Sequence, residues 1–175
     1  MDFALSYPDA VDSLVLVCPG LGGFPFQDKA NDLRAVVEAA RDGSYKKAAD
    51  LWLQNPYMNV AMENPALRRR LRELAEENGR CWLNNPLLLR PLTPPAAQRL
   101  KEIGAPVLVI GGDRDVSDIQ NIVTKLATSI PGAQKITLPG AGHLVPMEKT
   151  AEFNRLLLEF LVRPGGKLSA LPGTE

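Results

Sequence analysis

A chain of 175 residues, 45% hydrophobic and 23% charged, has the apolar content for one folded domain with a sizeable core. Twenty basic residues balance twenty acidic ones, so no net field draws it to nucleic acid or to an anionic membrane, and neither is expected as a partner. Cys18 and Cys81 are isolated thiols without CxxC spacing, so no metal site and no disulfide framework is expected. The start lacks a basic leader and no run reaches membrane-spanning length, which makes the cytoplasm the expected compartment.

In chain order, residues 2–6 read as the last turn of a helix, closed at Tyr7-Pro8 because proline disfavours the helical region for its predecessor. Residues 13–17, SLVLV, form the continuous aliphatic run of a strand buried on both faces of a parallel sheet, and the loop Cys18-Pro19-Gly20-Leu21-Gly22-Gly23 follows. From residue 24 to residue 100 the pattern is helical. Helices are expected over 30–40 and over 45–53, the second capped by Ser44 and stopped by Pro56. A third starts at Asn64-Pro65, carries Leu67, Leu71 and Leu74 on one face, and ends at Gly79. A fourth opens at Thr93-Pro94 and carries Ala97, Leu100 and Ile103. This long helical insert, with Trp52, Tyr57, Met58, Met62 and Trp82, fits a cap over a sheet.

Beyond the insert, residues 106–110 are a second buried strand. Ser117 then caps an amphipathic helix through Ile119, Ile122, Val123, Leu126 and Ile130. Residues 135–138 are a third, shorter strand, and a helix over 150–162 sets Phe153, Leu156, Leu157, Phe160 and Leu161 on a wide apolar face. Strand, helix, strand, helix in this order implies parallel crossovers. The expected organisation is a core segment over 1–23, a helical cap over 24–100, a second core segment over 101–163 and a flexible tail over 164–175.

The chemistry concentrates between Ile103 and His143. In parallel sheets, residues in the loop after a strand are delivered to the carboxyl edge where ligands collect. Asp115 follows one strand and His143, the only histidine, follows the next, which is two thirds of a Ser-His-Asp triad. Asp113 is the alternative acid from the same loop, and otherwise it and Asp118 read as solvent-facing or capping. The nucleophile belongs on a Gly-x-Ser-x-Gly turn earlier in the chain, and none of Ser6, Ser13, Ser44, Ser117, Ser129 and Ser169 has that setting. Cys18, at a strand end, reads either as inert core filler or as a stand-in nucleophile, since a thiolate beside an imidazole is activated. Arg68-Arg69-Arg70 with Arg72 reads as a solvated helix face, and the glycines at 20, 22 and 23 are too weak a pattern for a phosphate cradle.

Three stretches together carry a family likeness: Gly112-Asp113-Arg114-Asp115 after PVLVI, Gly140-Ala141-Gly142-His143 after the next strand, and FALSYPDAVDSLVLV at the start. They resemble the α/β-hydrolase fold over nearly the whole chain, in its branch of cap-bearing esterases, lactonases and C–C hydrolases. The resemblance implies an α/β core, incomplete with about three parallel strands, and a helical cap insertion. It implies Asp115 as triad acid, His143 as triad base, a small acyl substrate of the ester or lactone kind, no cofactor, and Trp52, Tyr57 and Trp82 as pocket residues from the cap. In the family a segment like FALSYPDAVDSLVLV follows directly upon the nucleophile turn, so the first strands, the oxyanion loop and the serine are expected to be absent here. An apolar strand edge left in this way is a template for a partner, either a second copy or a complementary N-terminal half. A non-catalytic or split-protein role is therefore the second expectation.

Overall fold

The computed structural model describes residues 1–28, 33–83 and 91–162. The tail expected over 164–175 and the first residues of the helix expected over 30–40 lie outside the described residues.

Three strands form one parallel sheet in the order β1 (Leu14–Val17), β2 (Val107–Gly112), β3 (Gln134–Leu138). Leu14 pairs with Val107 and Val17 with Ile110, while Leu108 pairs with Gln134 and Gly112 with Leu138. Sequence order and spatial order coincide, so all three carboxyl ends emerge along one edge. The central strand is buried at every position, which is why its sequence is a continuous apolar run rather than an alternating one. β3 alternates along QKITL, the pattern of a strand with one half-covered face.

The first helix, α1, spans Asp2–Ser6, and a 3-10 turn over Pro8–Ala10 leads into β1. Between β1 and β2 lie α2 (Arg34–Arg41), α3 (Tyr45–Leu53), α4 (Asn59–Glu63) and α5 (Pro65–Glu77). They pack on one another in two buried clusters: the small residues Val36, Ala39, Ala40 and Ala48 form one, and Leu53, Met58, Ala61 and Leu71 the other. After β2 come α6 (Ser117–Ser129), β3, the single turn α7 (Val145–Glu148) and α8 (Thr150–Val162). Ile119, Ile122, Val123 and Leu126 of α6 join Leu156 and Phe160 of α8 and the whole aliphatic run of β2 in one core.

Several local expectations are corrected. The turn opened by Thr93-Pro94 is not an α-helix: Pro95 follows Pro94, each proline disfavours the helical region for the residue before it, and only 3-10 turns form at Ala96–Gln98 and Leu100–Glu102. Gly79 does not end α5, which closes at Asn78; Gly79 begins a 3-10 turn, and a Cβ there would sit 2.7 Å from Tyr45 Cβ. Ser44 precedes α3 without a side-chain cap bond, whereas Asn64 accepts from the N–H groups of Ala66 and Leu67 as expected of an N-cap. Leu161 is 53% exposed, so the buried stripe of α8 narrows to Leu156 and Phe160.

The start of α6 is the most instructive correction. Its capping carboxylate is that of Asp28, which accepts from the Asp118 N–H at 2.9 Å and from the Ser117 hydroxyl. Asp118, expected as solvent-facing or capping, is buried and accepts from the N–H groups of Gln27 and Asp28, both at 2.7 Å. Each aspartate thus satisfies the other's backbone, tying the segment after β1 to the helix after β2 across some ninety residues of chain.

Candidate active site

The carboxyl edge of the sheet gathers one residue from each strand end: Cys18 after β1, Asp115 after β2 and His143 after β3. Nδ1 of His143 lies 2.9 Å from Oδ2 of Asp115. The Asp115 side chain is 1% exposed and that of His143 23%, so the acid is sealed and the base reaches the surface. Oδ1 of Asp115 accepts from the Val116 N–H at 2.8 Å, and Gln120 Nε2 donates to the Asp115 carbonyl at 2.6 Å. The first bond fixes the carboxylate and the second the main chain that carries it. A carboxylate only accepts, so the bonded arrangement puts the proton on Nδ1 and leaves Nε2 as a lone-pair acceptor.

Glycines let the two loops touch. A Cβ at Gly112 would come within 2.2 Å of the Ala141 carbonyl oxygen, and one at Gly142 within 2.7 Å of Val60 Cβ. Gly140 takes a positive φ of 68°, which a residue without a side chain adopts freely. Asp113, expected as solvent-facing or as the alternative acid, is exposed and accepts from the Gly140 N–H at 2.7 Å; it braces the loop and leaves the histidine to Asp115. Arg114 donates a bidentate pair to Glu63 at the end of α4, at 2.9 and 2.6 Å, and the exposed guanidinium holds the Glu63 carboxyl below its usual range.

Glu148 is a residue that sequence reasoning missed. It stands at the end of α7, accepts from the Leu144 N–H at 3.1 Å through Oε1, and accepts from the Gly142 N–H through Oε2. A signal was present: a glutamate one turn past a helix start that reaches back to the first backbone N–H groups follows the logic of a capping box.

Of the three aromatics expected in the pocket, the structure brings one to the histidine. Asn55 caps the 3-10 turn Pro56–Met58 by accepting from the Tyr57 N–H at 3.0 Å, and Tyr57 lies against His143 with ring centroids 4.2 Å apart at 31°. Trp52 and Trp82 instead pair with each other, centroids 6.2 Å apart, against the α2 and α3 cluster. Helical packing claims them because α3 and the Gly79–Leu83 turn face each other there.

Cys18 is buried, adopts a positive φ of 42° that is rare outside glycine, and points its thiol at the Gly142 carbonyl at 3.6 Å. Burial, and then the charge of Asp115, push that thiol up to about 12. Donor atoms of Cys18, Asp115 and His143 lie within 4.8 Å of one another, the one such gathering among the described residues. A metal there would need the thiolate that this environment suppresses and would replace the Asp115–His143 bond, so the donor set fits proton handling better than metal binding.

Among the described residues no helix is long and apolar enough to cross a membrane. The chain is 31% identical to a 2-hydroxy-6-oxononadienedioate/2-hydroxy-6-oxononatrienedioate hydrolase of Burkholderia vietnamiensis over 170 residues, covering 92% of this chain and 57% of that protein. It is 26% identical to carboxylesterase YbfK of Bacillus subtilis, covering 92% of this chain and 53% of the relative. The chain therefore spans little more than half the length of these curated relatives. Its fold is similar to that of MenH from S. aureus, with a TM-score of 0.69 at 21% identity over 90% of this chain and 63% of that one. The model of the Alpha/beta hydrolase family matches residues 3–156, and with a parallel sheet that delivers an acid and a histidine to one edge, the chain belongs to the α/β-hydrolase family.

Proposed function

We propose that Asp115 and His143 are the acid and base of a Ser-His-Asp hydrolase mechanism acting on an ester, lactone or related acyl substrate. The observation that carries the reading is the 2.9 Å bond from His143 Nδ1 to a sealed carboxylate, with the imidazole itself partly open. In that arrangement Nε2 takes the proton of an attacking hydroxyl, the carboxylate stabilises the imidazolium that forms, and the same proton passes to the leaving group. Relatives named as a dienedioate hydrolase and a carboxylesterase support the acyl or C–C substrate class. Tyr57 flanks the histidine, stacking on the ring that the substrate must approach. No metal or cofactor enters the mechanism.

The serine of this mechanism is not in these 175 residues in the required turn. The strand that brings it pairs with β1, whose second edge carries no strand among the described residues although Leu16 is buried and Leu14, Val15 and Val17 are half-buried. A complementary N-terminal half restores the site; a second copy covers the edge without restoring it. The test is hydrolysis of a short-chain aryl ester by the purified chain. The expected result is no turnover that depends on His143, because no serine in the required turn lies within these 175 residues. Turnover abolished by His143→Ala would overturn the reading. Loss on Cys18→Ser as well would establish the second reading, which the positive φ and the closeness of Cys18 to Asp115 and His143 favour. Against it stands a thiol pushed up to about 12, the reverse of an activated nucleophile.

A further inference from the structure

His143 sits on the loop between β3 and α7, whose first part is held from the β2 loop by Asp113 at the Gly140 N–H and by the Arg114 N–H at the Ala141 carbonyl. Next to the histidine, Gly142 has no side chain with which to hold the chain, and on the other side Leu144 precedes a helix of a single turn. The ring is meanwhile held to Asp115 by one hydrogen bond at Nδ1. Something must fix the main chain at position 143, or the imidazole would swing off the carboxylate. The N–H groups on either side of His143, those of Gly142 and Leu144, both donate to one side chain, the carboxylate of Glu148. Charge-assisted bonds of this kind are among the stronger ones a loop can make, and two on one rigid acceptor fix orientation as well as position.

We propose that Glu148 is a positioning residue for the histidine: its two oxygens clamp the peptides before and after His143 and so keep Nδ1 on Asp115 and Nε2 free. The inference rests on the acid and base roles given above and adds the group that sets their alignment. Glu148 acts through the backbone, and its charge is consumed by two N–H donors rather than offered to a ligand. The packing of Gly142 against Val60 of α4 lies on the same loop, so the clamp also keeps the histidine loop in register with the cap.

His143 is the only histidine of the chain, so its ring nitrogens can be read without assignment ambiguity. The experiment records ring nitrogen shifts of the labelled 175-residue chain at a pH where the imidazole is neutral, for the native sequence, Glu148→Ala and Glu148→Gln. Amide exchange at Gly142, Leu144 and Val109 is measured in parallel. The native chain is expected to show the single tautomer with the proton on Nδ1. In Glu148→Ala that tautomer is lost to a mixture, and the Gly142 and Leu144 amides exchange about tenfold faster, the size expected when a charge-assisted bond is removed. Val109, in the buried central strand, is expected to keep its protection, which separates a local clamp from general unfolding. Glu148→Gln, with the same length and one acceptor oxygen, falls between the two and decides the matter should the alanine variant fail to fold.

A native tautomer that persists unchanged in the folded variant would overturn the role of Glu148 while leaving the Asp115–His143 pair standing. A native chain without that tautomer would overturn the pair and this inference together.

Discussion

The two sides of the site are held in different ways. On the core side, Asp115 and His143 are placed by backbone in contact with backbone: β2 is buried along its length, the Arg114 N–H donates to the Ala141 carbonyl at 2.9 Å, and Gly112 leaves no room for a side chain between the loops. On the cap side, α2 to α5 are joined in two small clusters, one mainly of alanines and one of Leu53, Met58, Ala61 and Leu71, and the cap meets the site through a stacked tyrosine, a valine against Gly142 and an exposed ion pair. Backbone contacts of the first kind have one solution, since a peptide cannot rotate away as a side chain can. Contacts of the second kind allow small displacements at little cost. The Asp115–His143 pair therefore stands on the rigid side, and the tyrosine stacked on it is carried by the adaptable one.

Truncations on the two sides should separate them most clearly. Phe160, 1% exposed in the core, is expected to cost about 4 kcal/mol on Phe160→Ala, through lost burial and the cavity left behind. Leu71, 3% exposed among the cap helices, is expected to cost about 2 kcal/mol on Leu71→Ala, because small neighbouring helices close part of the void. Urea unfolding of both variants gives the comparison, and equal costs would remove the distinction.

Gly112→Ala attacks the contact on which the core side depends. The new Cβ would lie 2.2 and 2.4 Å from the carbonyl oxygens of Ala141 and Gly142, distances that only a backbone shift can relieve. A loss of about 3 kcal/mol is expected, together with separation of His143 from Asp115. A variant of native stability that kept the single imidazole tautomer would show that these loops have slack.

How far the sequence reveals this architecture depends on the range of the interaction involved. The strands are legible as continuous aliphatic runs; burial on both faces holds for β2, whereas β1, expected to be buried likewise, stands at the sheet edge with only Leu16 buried. Asp115 and His143 are legible because strand order alone delivers strand-end loops to one edge. The Asp28 cap of α6 is not, because the capping group comes from the far side of the insert while Ser117 beside it offers a local alternative that the fold does not use. Nor is the choice among Trp52, Tyr57 and Trp82, all large aromatics on a helical insert. Only the packing of α3 against the Gly79–Leu83 turn decides that the tryptophans meet each other and Tyr57 meets the histidine.

Cys18 probes the sealed part of the site by pH. Its thiol is raised from 9.0 to about 12, mainly by burial and then by Asp115. Above pH 9 the unfolded chain releases this proton while the folded chain keeps it, so ionisation favours unfolding. Stability contributed by the neutral thiol is whole below pH 9 and is lost as pH rises toward about 12, by roughly 1 kcal/mol per unit. Cys18→Ala should flatten that part of the alkaline profile relative to the native chain. Identical slopes from pH 9 upward would mean that water reaches the thiol and that the carboxyl edge of the sheet is more open than its burial implies.

The smallest effect is expected where the two sides meet at the surface. Arg114 and Glu63 form a bidentate pair, yet both side chains are about half exposed, at 47% and 57%, so solvent and the entropy of two long side chains offset most of its attraction. Arg114→Ala should leave the thermal midpoint unchanged within error, and the native chain and the variant should respond alike to rising salt. Tyr57→Ala provides the contrast: it removes the ring stacked on His143, and so is expected to broaden or shift the imidazole resonances that Arg114→Ala leaves in place. Should the arginine variant instead disturb the imidazole and the tyrosine variant spare it, the cap would be registered on the core by charge, and the stacked tyrosine would be only a lining of the pocket.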